Sequence, residues 1–186
     1  MDAHILHRDV SPENITISTT KQEGVPRGFL IDLDVAICVD EAQPKGGERH
    51  GTRPFMAIGV LRTKKHTYKH DLESLFYCFL WVAICGKGKT WPPQGSKLWA
   101  WTQASFRECA SHKSAFEEAE GFEYVLDEFT QDFVHCKELA RELWRIFFFV
   151  GSGHDGNDPD ICYQAVLRAF RDAGAEAKSF CQDGQY

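Results

Sequence analysis

The chain has 186 residues, 43% of them apolar, enough for one substantial core that buries about 70% of the extended-chain surface. Its 21 basic and 27 acidic side chains leave a formal charge of −6, which gives no general attraction for nucleic acid or for an anionic membrane. Seven cysteines without a C-x-x-C pair read as reduced, mostly buried thiols, no basic segment followed by an apolar run marks a signal peptide, and FYCFLWVAIC and IFFFV fall short of the roughly 20 residues that span a bilayer, so the expected compartment is cytosol or nucleus.

Residues 4–14 read as a short extended stretch and a polar loop, with Pro12 holding Ser11 extended or in a turn. ITIS at 15–18 and GFLIDLDVAI at 28–37 are strand-like, and the turn between them, with Gly24 and Pro26, predicts a hairpin. That hairpin sets Asn14 just before one strand and Asp32 near the end of the other. Residues 38–66, broken by Pro44, Gly46, Gly47, Gly51, Pro54 and Gly59, read as a long loop of the functional kind. From Asp71 onward, Leu72, Leu75, Phe76, Phe79, Leu80 and Ala83 recur at three- and four-residue steps and predict a central helix, widened by Trp81 and Val82. Helical stretches are expected near 100–110, 113–120, 122–134 and 136–149. A last helix over about 159–173 carries Ile161, Ala165, Ala169 and Phe170, with Gly174 as its stop.

Asp9, Asn14 and Asp32 set two carboxylates and an amide at spacings that suit metal-assisted phosphoryl transfer, in which one carboxylate takes a hydroxyl proton while oxygen donors hold a hard cation. HRDVSPEN at 7–14, LIDLDVA at 30–36, GTRPFMA at 51–57 and HDLESLFYCFLW at 70–81 follow one another in order. With these runs the chain resembles the C-terminal lobe of a protein kinase, most closely the fungal-type protein kinase family, over roughly residues 4–150. The resemblance implies a mainly α-helical lobe with a short β-hairpin around the catalytic and metal-binding loops. It also implies that Asp9 aligns and deprotonates a protein hydroxyl, and that Asn14 and Asp32 hold magnesium and ATP. His7 becomes a structural wedge, Arg8 a partner of the activation segment, Thr52 a hydrogen-bond partner near Asp9, and Asp71 a support for the catalytic-loop backbone, although a carboxylate there also caps a helix.

The departures from the family pattern are as informative. Ser11 stands at the catalytic position where most protein kinases carry a lysine, and a hydroxyl supplies no positive charge to the transferring phosphoryl group. Leu33 and Asp34 follow Asp32 in place of Phe and Gly, and Ile58-Gly59 follows Ala57 in place of Pro-Glu, so the usual glutamate–arginine anchor of that segment is missing. Six residues precede His7, and the glycines at 46–47, 86–88 and 151–156 lack the Gly-x-Gly-x-x-Gly spacing. The expectation is one partial domain over 1–186, a lobe without its nucleotide lid: catalytic loop 7–14, metal-loop hairpin 15–37, activation-like segment 38–66 and helical lobe 67–174. Two functions follow: a Ser/Thr protein kinase, weak or inactive by itself, or a kinase remnant that acts by binding a protein partner. A small-molecule kinase shares the Asp–Asn–Asp logic but lacks a GT-x-x-FMA segment. His66 and His70 are four apart yet have no third zinc ligand, and GSGHDGNDPD at 151–160 does not match an EF-hand loop.

Overall fold

The computed structural model describes residues 4–20, 25, 27–39, 49–103, 105–148 and 159–182. The turn residues Gly24 and Pro26, the glycines and proline at 44–47, and residues 151–158 lie outside these. The chain gathers into two compact units, Met1–Phe79 with Lys97–Ser114, and Leu80–Ser96 with Ala115–Tyr186. It is predominantly helical.

The first unit opens with four short strands: β1 (Ile5–Leu6), β2 (Ile15–Ile17), β3 (Gly28–Leu30) and β4 (Ile37–Cys38). The expected hairpin is present as the antiparallel pair β2–β3, in the register Ile15 to Leu30 and Ile17 to Gly28. The expected single strand over 28–37 is corrected. The chain leaves the ladder after Leu30, Asp32 takes a left-handed φ of 65°, and Ala36 N–H closes a turn on Leu33 O. The returning residues form β4, which pairs with β1, so two small sheets stand where one hairpin is expected. The alternation in LIDLDVAI mimics a strand, but here it spans a turn.

The segment read as an irregular loop holds regular structure in its second half: a 3-10 turn at Arg53–Phe55 and α1 (Ile58–Leu61). Helix α2 (Tyr68–Cys85) starts earlier than its apolar stripe suggests and is buried on nearly all sides, with Val82 as the exposed exception. Two further helices, α3 (Trp99–Gln103) and α4 (Phe106–Ser114), complete this unit. Tyr77 of α2 meets Trp101 of α3 edge to face at 5.2 Å.

The second unit contains α5 (Ala119–Leu126), a 3-10 stretch at Gln131–Cys136, α6 (Lys137–Phe148) and α7 (Pro159–Gln182). The helices expected over 113–120 and 122–134 are thus recut into the end of α4, the whole of α5 and the 3-10 stretch. Helix α6 buries Leu139, Ala140, Leu143, Trp144 and Ile146 as one face. Trp144 stacks on Phe122 at 5.3 Å and donates its indole N–H to Phe116 O at 2.6 Å. Helix α7 runs through Gly174, which is therefore no stop, and it buries Val166 and Ala169 while Ile161 stays exposed. Among the described residues no helix is long and apolar enough to cross a membrane.

Candidate functional site

The site is built on the loop between β1 and β2, and one carboxylate of α2 holds that loop. Asp71 lies in the first turn of α2, where Oδ2 accepts the His7 N–H at 2.8 Å and Oδ1 accepts the Arg8 N–H at 3.0 Å. Asp71 Oδ1 also meets His66 Nε2 at 2.8 Å, so three polar groups converge on one half-buried carboxylate. His66 therefore lies before the helix and faces Asp71, where the spacing alone suggested a helical face shared with His70.

His7 is buried and ties the two halves of the site together. Asp9 N–H donates to its Nδ1 at 3.3 Å, which leaves Nε2–H to donate to Ile31 O at 3.0 Å. Arg8, at a left-handed φ of 66°, donates its Nε–H to Val35 O at 2.6 Å. Both contacts reach the stretch that carries Asp32. Asn14 is buried, donates its side-chain N–H to Asp9 O at 2.9 Å, and accepts the Ile31 N–H on its backbone carbonyl at 2.9 Å. Because Ile15 pairs with Leu30, this bond carries the β2–β3 register one residue further, to the residue before Asp32. Asp32 and Asp34 are exposed, and Asp34 N–H turns toward Asp32 Oδ1 at 3.5 Å.

Thr52 closes the site from the other side. Its backbone N–H at 2.7 Å and its hydroxyl at 2.8 Å both donate to Asp9 Oδ1. Among the described residues no donor reaches Asp9 Oδ2, so that oxygen keeps its lone pairs open to a further donor. Gly51 makes the approach feasible: at φ 113° a Cβ there would lie 2.7 Å from Arg8 O. Ser11, in contrast, is 1% exposed, and its side chain does not cap the 3-10 turn Pro12–Asn14 that follows it.

Two residues that sequence reasoning did not single out hold the GTRPFMA segment. Glu73 Oε1 accepts the Ile58 N–H and the Tyr77 hydroxyl, both at 2.8 Å. Lys113, on the last turn of α4, is fully buried and donates from Nζ to Met56 O at 2.7 Å. Its nitrogen lies 3.5 Å from the Tyr77 ring centre and 4.8 Å from that of Trp101. Burial draws the Lys113 ammonium down to about 7, against the partial pull of Cys109, Glu73 and Cys78. These contacts anchor the segment where the usual glutamate is missing. A glutamate four residues before a tyrosine on one helix was a readable signal; a lysine in the polar run FRECASHKS was not. His70, the other histidine of the pair, accepts the Thr67 N–H on Nδ1 at 3.0 Å, and burial, together with the neighbouring His66, lowers its pKa to about 4.

The donor set near Asn14 and Asp32 is one amide oxygen and carboxylate oxygens, the hard ligands that magnesium prefers. Among the described residues no three His, Cys, Asp or Glu side chains gather as a metal cage. If a divalent ion bound here, the Asn14 amide oxygen and the Asp32 carboxylate would be the protein oxygens to hold it.

Residues 1–83 match the family model described as fungal protein kinase. Among curated proteins the chain is similar to the DNA damage response protein kinase DUN1 of Saccharomyces cerevisiae. The two are 32% identical over 110 residues, a stretch that covers 52% of this chain and 20% of that relative, so the chain spans about a fifth of its length.

Proposed function

Because residues 1–83 match the model of the fungal protein kinase family, we propose that the chain is a protein kinase-like phosphotransferase that moves a phosphoryl group from ATP to a serine or threonine hydroxyl, weakly when it acts alone. The observation that carries this reading is the fixed carboxylate of Asp9. Two donors from Thr52 hold one of its oxygens and leave the other open among the described residues, and the Asn14 amide N–H donates to the Asp9 carbonyl. Asp9 orients the acceptor hydroxyl and takes its proton. Asn14, pinned through its amide N–H to Asp9 O, presents its amide oxygen, and Asp32 presents an exposed carboxylate. When bound, magnesium and ATP supply the phosphoryl group and the neutralising charge. The Gly51–Ala57 segment, fastened at Thr52 and Met56, offers the peptide a shelf next to Asp9. With Ser11 buried and uncharged, the loop brings no cation of its own to the phosphoryl group, which accounts for the weakness.

A second reading is favoured by the surface of the hairpin. Ile17, Val25, Phe29, Leu30, Ile31 and Leu33 are all exposed large apolar residues, a concentration that marks a surface for another polypeptide. Under this reading the chain works as an interaction module in the cytosol or nucleus. Calorimetric titration of the folded chain with ATP and magnesium separates the two. Saturable, magnesium-dependent binding that Asp32→Asn abolishes is the result expected of the phosphotransferase; a well-folded chain that binds no nucleotide overturns it in favour of the module.

A further inference from the structure

A cleft of about 450 Å³ in the first unit is lined by Arg49, Arg62 and Arg107, with Thr63, Ser111 and the buried Leu61 between them. Among the described residues no carboxylate lines it. Three guanidinium groups around one hollow are a conspicuous arrangement in a chain whose formal charge is −6.

Among the described residues the arginines are braced without being neutralised. Arg49 donates its Nε–H to Leu61 O at 3.2 Å and lies 4.7 Å above the centre of the Phe106 ring. Arg62 donates one N–H to Ser114 Oγ at 2.7 Å. Arg107 has no hydrogen bond or ion pair among the described residues, and its neighbour Glu108 spends its carboxylate on the Ser105 N–H at the start of α4. Each guanidinium carries five N–H donors, so most of the donor capacity around the cleft is unspent among the described residues. Holding three like charges together costs free energy, and a bound anion would recover that cost.

We infer that this cleft is a docking site for a phosphorylated serine or threonine side chain of a peptide. A single carboxylate matches one fork, whereas a phosphate monoester carries about two negative charges and three acceptor oxygens, enough for three guanidinium groups. The negative field of the whole chain disfavours a nucleic acid as the source of that phosphate. The cleft also adjoins the shelf: the Phe106 ring that Arg49 covers is covered at 4.8 Å by Arg53, which lies in the Gly51–Ala57 segment. Resting on the phosphotransferase reading, the inference names the substrate class as a peptide that already bears one phosphate near the hydroxyl to be modified.

The test is fluorescence anisotropy without nucleotide, using a labelled neutral peptide with one phosphoserine, its unphosphorylated twin and inorganic phosphate as competitor. The phosphopeptide is expected to bind at least about tenfold tighter than its twin, with a loss of about tenfold or more in Arg107→Ala and a smaller loss in Arg107→Lys. Arg107 is exposed and has no hydrogen bond or ion pair among the described residues, so its removal is expected to leave folding intact. Equal binding of the two peptides, or binding unchanged in Arg107→Ala, overturns the inference. So does competition by inorganic phosphate as strong as that by the phosphopeptide, because the peptide would then add nothing. As nucleotide is absent, failure of ATP binding and failure of this docking site are read separately.

Discussion

Lys113 gives the sharpest quantitative test. Its ordinary pKa of 10.5 falls to about 7 through burial, so between those values the unfolded chain holds a proton that the folded chain has released. Stability must therefore rise with pH in that window, by about 1.4 kcal/mol per unit where the window is fully open. Near its lower edge the folded-state titration blunts the slope, and from pH 7 to pH 9 the gain is about 2 kcal/mol. Lys113→Met keeps an unbranched side chain beside Tyr77 and Trp101, removes the titrating group, and leaves Met56 O without its donor. Urea unfolding of both proteins at pH 7 and 9, followed by tryptophan fluorescence and circular dichroism, should show the wild type gaining about 2 kcal/mol over the variant. The comparison matters because buried thiols act in the opposite direction: burial raises Cys78 and Cys109, and raises Cys85 to about 11, so unfolding releases their protons above pH 8. Those thiols are common to both proteins, and the difference removes most of their effect. Parallel pH profiles would refute the reasoning, since they would mean that Lys113 keeps its proton inside the core.

Two further outcomes follow from the same packing. In Gly59→Ala the new Cβ would lie 2.3 Å from His70 Nε2, so the ring must shift; the expected loss is about 1–3 kcal/mol, seen as a lower Tm, and an unchanged Tm would contradict the close contact. In Asp71→Asn one of the loop amides meets an NH2 where it had an oxygen, with an expected cost of about 2 kcal/mol and faster hydrogen exchange at His7 and Arg8; exchange at the wild-type rate would show that Asp71 does not hold the loop.

How much of this was legible depended on how local the cause was. Alternation in ITIS and GFL made the β2–β3 hairpin readable, and the three- and four-residue apolar steps did the same for α2. The break after Leu30 was hidden because LIDLDVAI alternates through a turn whose flanking carbonyls, those of Val35 and Ile31, accept from Arg8 and His7, distant in sequence. Gly174 looked like a stop because glycine often ends helices, but a helix continues through it where nothing demands a left-handed residue. Motif spacing was enough to bring Asp9, Asn14, Asp32, Thr52 and Asp71 to one list of candidates. Lys113 and Glu73 stayed off that list, since a buried lysine is defined by the rings that surround it, and these come from α2 and α3, distant in sequence.

The reach of Asp71 also orders events in time. The His7 and Arg8 amides find their acceptor 64 and 63 residues further along the chain, on a helix whose own turns form from local contacts. On a ribosome that makes about 5–20 residues per second, the segment from His7 to Asn14 waits several seconds at the slower speeds for its organising carboxylate to be made. Until then the buried Val10 lacks the α2 residues it meets, among them Cys78. A nascent chain is thus expected to expose this loop well before the helix that shapes it is made, and a chaperone has most to hold in that interval.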